Sequence, residues 1–241
     1  MNEIKKETLD RLRQFDTPTI CNVIELFNVR SRDEGFMNAS IKSNFTEMPP
    51  MVGFAATATF RASGAPLKKQ KISSIFEQIK RFEELSGPPV VVFQDLDNPP
   101  VAATFGEIMC TTYQKFGSTG LITSGAGRDL DQVQAIDYPV FTSSTICAHG
   151  FVHIPDVHIP VHVGGLAIFP DDLLHGDCNG VTTIPKEIAS EAADIAADYV
   201  AAERCTLDEL QSDNLNQKSY EDAFNTMMAE IDKLKKRVSG K

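Results

Sequence analysis

Short apolar runs alternate with helical segments through the middle of this chain, and the alternation limits the folds open to it. Residues 51–61 are small, apolar and threonine-rich, residues 90–93 are wholly apolar, and residues 121–123 form a third short run. Each of these runs predicts a buried strand. Between them, residues 72–85 and 106–116 have helical character. A strand, helix and strand in succession predict an α/β fold in which neighbouring strands run parallel.

Further segments lie on either side of this middle part. Asp16 followed by Thr17 and Pro18 is typical of a helix start, with an N-cap residue before proline. Residues 151–163 alternate between apolar and polar side chains and predict a strand, and residues 186–203 are alanine-rich and predict a helix.

The C-terminal segment predicts one more helix. Apolar residues from Tyr220 to Val238 recur in steps of three and four, so this helix should pack on the core or on a neighbouring subunit. No linker is long or biased enough to divide the chain. We therefore expect a single α/β domain over residues 1–215, with an amphipathic helical extension over residues 216–241.

Composition argues against two classes of partner. The chain has a formal net charge of −10 and a pI near 5.0, so a nucleic-acid backbone or an anionic membrane surface would repel it. Its five cysteines include no C-x-x-C pair, as expected of reduced thiols. No window approaches the apolar length of a membrane span. We expect a cytoplasmic protein with no nucleic-acid or membrane partner.

The helix that starts at Gly106 is the first candidate binding site. Backbone amides in the first turn of a helix lack partners within the helix and lie at the positive end of its dipole, so they can bind carboxylate or phosphate oxygens. Gly106 has no side chain and would let a ligand approach closely. The candidate binding residues of this turn are Gly106, Glu107, Ile108 and Met109.

The turn at residues 125–129, here the arginine turn, is the second candidate site. The guanidinium of Arg128 can bind a carboxylate with two hydrogen bonds, and the carboxylate of Asp129 can hold a divalent cation. Two other interpretations of this turn stay open. It could be only a helix cap with a surface ion pair, or a nucleotide-binding loop, although Gly125-Ala126-Gly127 lacks the third glycine of that motif.

The two turns are followed by later segments in a particular order. After Gly106 come Gly117 to Gly120, Gly125-x-x-Arg128-Asp129, Pro139-Val140-Phe141, Gly164 to Asp172, Asp177-x-Asn179-Gly180-Val181 and Ile184-Pro185. This order, from about Thr17 to Arg204, resembles the RraA-like family, which contains the class II 4-hydroxy-4-methyl-2-oxoglutarate (HMG/CHA) aldolases and the regulator of ribonuclease activity A. The chain differs at Asp171, where that family usually has glycine.

The resemblance implies a compact α/β sandwich of the regulator type that assembles as a homotrimer, sometimes doubled to a hexamer, with active sites between subunits. It implies that a 2-oxo acid such as pyruvate lies against the helix-start amides and is bound by Arg128. Asp129 would ligate Mg²⁺ or Mn²⁺ with water in most other positions, and Glu107 would orient a metal-bound water. Glu203 is the candidate for a glutamate that assists proton transfer from the neighbouring subunit.

These roles agree with the chemistry of a carbon–carbon lyase. Cleavage beside a 2-oxo acid leaves a pyruvate enolate, whose charge a hard cation stabilises. A water held by Glu107 or Glu203 could accept the proton of the substrate's 4-hydroxyl group. Oxaloacetate loses carbon dioxide through the same enolate. We therefore predict a class II pyruvate aldolase and oxaloacetate decarboxylase that acts on a 4-hydroxy-2-oxo acid.

A second function stays open, because a fold does not determine an activity. The ribonuclease regulator of the same family is non-catalytic and binds the surface of a partner enzyme. The presence of Glu107, Arg128 and Asp129 together favours the enzyme.

Two further groups of side chains have open roles. His149, His153, His158 and His162 are crowded enough to suggest zinc or iron, but their spacing fits no defined metal motif and an edge strand is the alternative. Asp95 and Asp97 follow a predicted strand and are either acid/base carboxylates or part of a solvated turn, which the prolines around them favour.

Overall fold

The structure is a computed structural model that describes residues 4–66 and 72–239. Its helices are α1 (Lys6–Leu12), α2 (Thr17–Leu26), α3 (Ile75–Lys80), α4 (Glu107–Lys115), α5 (Leu130–Ala135), α6 (Ala189–Leu210) and α7 (Gln217–Ser239). Its strands are β1 (Lys42–Ser43), β2 (Met51–Phe60), β3 (Pro89–Asp95), β4 (Ala103–Phe105), β5 (Gly120–Thr123), β6 (Ala126–Gly127), β7 (Val140–Thr142), β8 (Ser144–Thr145), β9 (Val161–Val163), β10 (Leu166–Ile168), β11 (Leu173–Asp177) and β12 (Gly180–Ile184).

Seven strands form the central sheet in the order β1-β7-β5-β3-β2-β11-β12. The four inner strands β7, β5, β3 and β2 are parallel, and the flanking strands pair antiparallel. β2 and most of β3 are buried, as expected of apolar strands covered on both faces. The predicted α/β fold with parallel neighbours is thus confirmed.

The two faces of the central sheet are covered differently. Even-numbered residues of β2, such as Phe54 and Phe60, pack in clusters with the helices. Its odd-numbered residues Met51 and Ala55 pack with Val163 of β9 and other residues of the opposite face. This arrangement follows from the alternation of side chains along a strand.

A second, three-stranded parallel sheet lies next to the carboxyl ends of the inner strands of the central sheet. It has the order β4-β6-β8, and β6 and β8 follow β5 and β7 after turns of two residues and one residue. The loops that carry the candidate site therefore lie at the carboxyl ends of the parallel strands. Ligands bind at this edge in open α/β sheets.

Helix α2 begins as the sequence predicts and is tied to the sheet. The carboxylate of Asp16 accepts a hydrogen bond from the amide of Thr19 (2.8 Å). The amide of Thr17 donates to Asp177 Oδ2 (2.8 Å), at the turn that joins β11 and β12. Next to it, buried His175 contacts the Thr17 hydroxyl through Nδ1 (2.9 Å). Burial lowers the pKa of His175, so it is a neutral structural residue.

The C-terminal helix α7 packs antiparallel on α6 and also contacts α2. Leu234 and Val238 are buried against apolar residues of those helices, and Arg237 forms an ion pair with Asp198 (2.9 Å). At the opposite end of the two helices, the hydroxyl of Thr206 on α6 donates a hydrogen bond to the carbonyl of Ala223 on α7 (3.3 Å). Among the described residues, no helix is both long and apolar enough to cross a membrane.

One expectation for the second half of the chain is wrong, and one strand there was not predicted. Residues 151–163 do not form a strand: only Val161–Val163 is regular, and His153, Ile154 and Val157 make isolated bridges, because Pro155 and Pro160 interrupt the ladder. Strand β11 was not anticipated. Its sequence, LLHGD, lacks the β-branched residues typical of strands.

Asp171, one position where the sequence departs from the family that it resembles, adopts a left-handed conformation with φ of 72°. Its carboxylate accepts hydrogen bonds from the amide and hydroxyl of Ser86 and from Lys186 Nζ. These contacts hold a backbone conformation that glycine would adopt without strain.

Candidate active site

Gly106 brings the two predicted turns into contact. A Cβ atom built on Gly106 would lie 2.4 Å from Asp129 Oδ2 and 3.0 Å from Arg128 Nε. Both side chains therefore pack against the α carbon at the start of α4. Because Gly106 is extended rather than left-handed, with φ of −150°, the site needs glycine here for space and not for its backbone conformation.

The backbone of Asp129 aims its side chain away from its own helix. Asp129 precedes α5 in a left-handed conformation (φ 55°, ψ 40°) and caps no amide of that helix. Instead its Oδ2 accepts a hydrogen bond from the amide of Glu107 at the start of α4 (3.1 Å). The helix-cap interpretation of the arginine turn is therefore wrong for α5.

The amides at the start of α4 divide into two groups. The Glu107 amide is occupied by Asp129, whereas the amides of Ile108 and Met109 donate no hydrogen bond within the described chain. The side chains of Glu107 and Ile108 are exposed. The amides of Ile108 and Met109 are thus the ones left to bind an anion.

The guanidinium of Arg128 is only loosely paired. Its nearest carboxylate oxygen is Asp129 Oδ2, 3.8 Å from Nε, and about a third of the side chain is exposed. Its backbone is held by a bond from its amide to the carbonyl of Phe105 (3.2 Å). Arg128 is therefore fixed at its base, with donors free for a ligand.

A buried carboxyl group lies beneath the arginine turn. Asp95 is 8% exposed, and its Oδ2 has no hydrogen-bond partner among the described residues. That oxygen would lie 2.5 Å from a Cβ on Gly125. Its Oδ1 accepts from the amide of Asp97 (2.9 Å). Burial raises the pKa of Asp95 to about 6, and the nearby Asp97 charge adds to the rise.

Asp97 is also largely buried, so the interpretation of this pair as a solvated turn is wrong. Its Oδ2 accepts from the amides of Ala62 and Ser63, and its Oδ1 from the Ser63 hydroxyl. Burial acts to raise its pKa, but these hydrogen bonds and the charge of Arg61 lower it below the ordinary value. The sequence singles out both carboxylates, but no local pattern predicts their burial.

Glu203 lies on α6, and no hydrogen bond or ion pair between described residues joins it to Arg128 or Asp129. Partial burial raises its pKa, and the charge of Asp16 adds to the effect. Within one chain, the structure therefore does not bring Glu203 to the other candidate residues.

The histidines do not converge. His149 and His153 each direct Nδ1 to a neighbouring backbone carbonyl, and His158 lies 3.8 Å from Glu84. Across residues 4–66 and 72–239, no three histidine, cysteine or acidic side chains are grouped so that they could share a metal ion.

Comparison with known families adds to this geometry. The profile of the RraA-like family, described as Aldolase/RraA, matches residues 17–183, a range that contains both turns. The chain belongs to the RraA-like family. This confirms the resemblance that the sequence suggests, and with it the regulator-type α/β fold.

Known relatives of this RraA-like protein differ in their assigned roles. It is 31% identical over 139 residues to a protein of Halalkalibacterium halodurans that is provisionally named a 4-hydroxy-4-methyl-2-oxoglutarate aldolase. That match covers 56% of this chain and 66% of the relative, slightly under two thirds of its length.

Two solved structures share the fold. An uncharacterized protein of Pseudomonas syringae has a TM-score of 0.72 at 21% identity, with 93% of this chain and 96% of that chain covered. RraAS2 of Streptomyces coelicolor, described as an unusual member of the RNase ES inhibitor RraA protein family, has a TM-score of 0.67 at 18% identity, with 85% and 97% covered. The family thus includes proteins named as aldolases and proteins named as inhibitors.

Proposed function

We propose that this protein is a divalent-metal-dependent carbon–carbon lyase that acts on a 4-hydroxy-2-oxo acid, with oxaloacetate decarboxylation as a related activity. The observation that carries the proposal is the contact at Gly106, where Asp129 and Arg128 meet the start of α4. A carboxylate, a loosely paired guanidinium and two free amides thus lie close together.

The substrate carboxylate is the group that these donors fit. Arg128 offers the planar donor pair that matches a carboxylate, and the amides of Ile108 and Met109 add two donors at the positive end of a helix. The position of α4 next to Arg128 lets both sets of donors act on one ligand. Glu107 begins this helix with an exposed side chain, so it can reach the solvent-facing side of the ligand.

Asp129 fits a magnesium or manganese ion. Its Oδ1 accepts no hydrogen bond within the described chain, and just over a third of the side chain is exposed. A hard carboxylate oxygen with room for water around it is what Mg²⁺ requires, since this ion keeps several of its waters. When bound, the cation would stabilise the negative charge of the enolate formed by bond cleavage.

The chain's own groups would handle the proton of the 4-hydroxyl. Glu107 is one candidate acceptor, acting through water, because it follows the residue that Asp129 and Arg128 contact. Glu203 is the second, supplied by a neighbouring copy in a homotrimer or hexamer. Partial burial raises its pKa, which favours the protonated form that a proton donor needs.

Pyruvate release tests the proposal. The full-length protein should release pyruvate from oxaloacetate or a 4-hydroxy-2-oxo acid when Mg²⁺ or Mn²⁺ is present, and EDTA should stop the release. Asp129→Ala should abolish it, whereas Asp131→Ala, which removes an exposed carboxylate two residues further along, should leave it within about twofold of wild type. A protein that binds the metal but releases no pyruvate from any of these substrates would instead support the non-catalytic role of a regulator that binds a partner such as a ribonuclease.

A further inference from the structure

We propose that Arg61 binds a second carboxylate of the substrate, so that the enzyme selects 2-oxo acids with two carboxylates over analogues with one. This inference rests on the proposed function and assigns it a specificity-determining residue. In this arrangement Arg128 binds the carboxylate beside the keto group, and Arg61 binds the carboxylate at the far end.

Two arginines of this chain differ from all the others. Seven of the nine guanidinium groups have an oxygen partner within about 3.3 Å, as is usual for a hydrogen-bonded or paired arginine. The other two are Arg61 and Arg128, each with its nearest carboxylate oxygen 3.8 Å from Nε. Arg61 Nε is also buried without a hydrogen-bond partner among the described residues.

The carboxylate nearest to Arg61 is already engaged. Asp97 accepts hydrogen bonds from the amides of Ala62 and Ser63 and from the Ser63 hydroxyl. These bonds hold the backbone that follows β2 and thereby fix the base of the Arg61 side chain. The far end of that side chain stays accessible, since 43% of the side chain is exposed. The Arg61 guanidinium is thus fixed in position and has N–H donors that no described residue uses.

Arg61 lies at the same edge of the sheet as Arg128. It follows Phe60, the last residue of β2, which pairs with Asp95 of β3. The charge of Arg61 acts on Asp95, and Asp95 Oδ2 packs against the α carbon of Gly125 in the arginine turn. Because β2, β3 and β5 are adjacent strands, the ends of β2 and β5 are about 10 Å apart. Arg61 directly follows β2, and Arg128 belongs to the turn that follows β5, so both long side chains start near this edge and can bind opposite ends of one short dicarboxylic acid.

A matched pair of substrates tests the role. The dicarboxylate 4-hydroxy-2-oxoglutarate and the monocarboxylate 4-hydroxy-2-oxopentanoate differ in having a carboxylate or a methyl group at the far end. Arg61→Gln should raise KM and lower kcat/KM for the dicarboxylate at least tenfold, while kcat/KM for the monocarboxylate changes by less than about twofold. Arg61→Lys should recover part of the loss, because it keeps the charge but not the planar donors.

The controls separate specificity from structure. Arg81→Gln removes an arginine paired with Glu84 on the surface and should affect neither substrate. An equal fall on both substrates after Arg61→Gln, or no fall on either, would overturn the proposal.

A binding measurement separates this proposal from the proposed function. If the wild type releases pyruvate from neither of these substrates nor from oxaloacetate, the lyase assignment fails, and calorimetry with glutarate then tests the role of Arg61 by itself. The wild type should bind glutarate at least tenfold more tightly than Arg61→Gln does. Equal affinities would show that Arg61 binds no carboxylate.

Discussion

The amide of Glu107 donates a hydrogen bond to the carboxylate of Asp129 across 3.1 Å, so the start of α4 and the arginine turn share a contact. A carboxylate at this place satisfies an unpaired helix amide and meets the positive end of the helix dipole. One side chain therefore stabilises the fold through Oδ2, while its Oδ1 accepts no hydrogen bond from a described residue.

Substitution of Asp129 should separate these two roles. Asp129→Ala should lower the free energy of unfolding by about 1 to 2 kcal/mol, because the amide loses its acceptor and alanine tolerates the left-handed backbone poorly. Asp129→Asn keeps an acceptor oxygen and tolerates that backbone, so it should cost less than about 0.5 kcal/mol. Both variants should lose metal-dependent pyruvate release. Urea unfolding measures the free energy of unfolding, and an activity assay measures pyruvate release. Full activity in the asparagine variant would contradict the ligand role.

Gly106→Ala should damage activity more than stability. The added methyl group would meet Asp129 Oδ2 at 2.4 Å and Arg128 Nε at 3.0 Å, so both side chains must move. We expect pyruvate release to fall at least tenfold, with a stability loss of about 1 to 2 kcal/mol. Thr112→Ala is the control on the same helix, because among the described residues the Thr112 hydroxyl bonds only to the carbonyl of Ile108 within α4. Similar activities for the two variants would argue against the site.

Asp95 should make stability depend on pH in the acid range. Its pKa is about 6 in the folded protein and near 3.8 when unfolded, so the folded state holds the proton more tightly. The stabilisation is therefore complete below about pH 4 and is lost as the pH rises through 6, a change of about 3 kcal/mol at most. Asp95→Asn removes this titration while it keeps the shape of the side chain.

Urea unfolding of wild type and Asp95→Asn at several pH values between 4 and 7 measures the effect. The variant should gain stability relative to wild type as the pH rises. A difference that does not change with pH would show that Asp95 titrates normally.

The C-terminal helix should contribute to stability through a few buried side chains. Leu234 is 9% exposed in the cluster with α2 and α6, and Leu234→Ala should cost about 2 to 3 kcal/mol. Met228 lies on the same helix but is 42% exposed, and Met228→Ala should cost less than about 0.5 kcal/mol. Chemical denaturation compares them. Equal losses would mean that Leu234 is not a core residue.

The middle of the fold is predictable from sequence because its residues carry strong local signals. The apolar run of β3 is stable only where both faces of the sheet are covered. Gly106 and Gly125 mark turns that follow buried strands. Asp16 and Pro18 likewise define the start of α2 through local capping chemistry. For the start of α2, the determining contacts lie within a few residues along the chain.

The remaining features depend on contacts distant in sequence. Asp95 is buried because Gly125, 30 residues later, packs on it, and β11 is a strand because β2 and β12 pair with it on both sides. Alternating polarity in residues 151–163 suggested a strand, but the two prolines leave only isolated bridges before Val161. A loosely paired Arg61 is likewise visible only when its surroundings are known.

The turn between β11 and β12 has a consequence for how relatives of this protein are classified. Asp177 there accepts hydrogen bonds from the amides of Thr17 and Asn179, so the D-x-N-G signature is explained by folding alone. A relative could keep that signature, fold alike and still have lost the residues that handle a substrate. Under the proposed function, we expect lyases and binding proteins that share this architecture to differ at the positions of Gly106, Arg128 and Asp129.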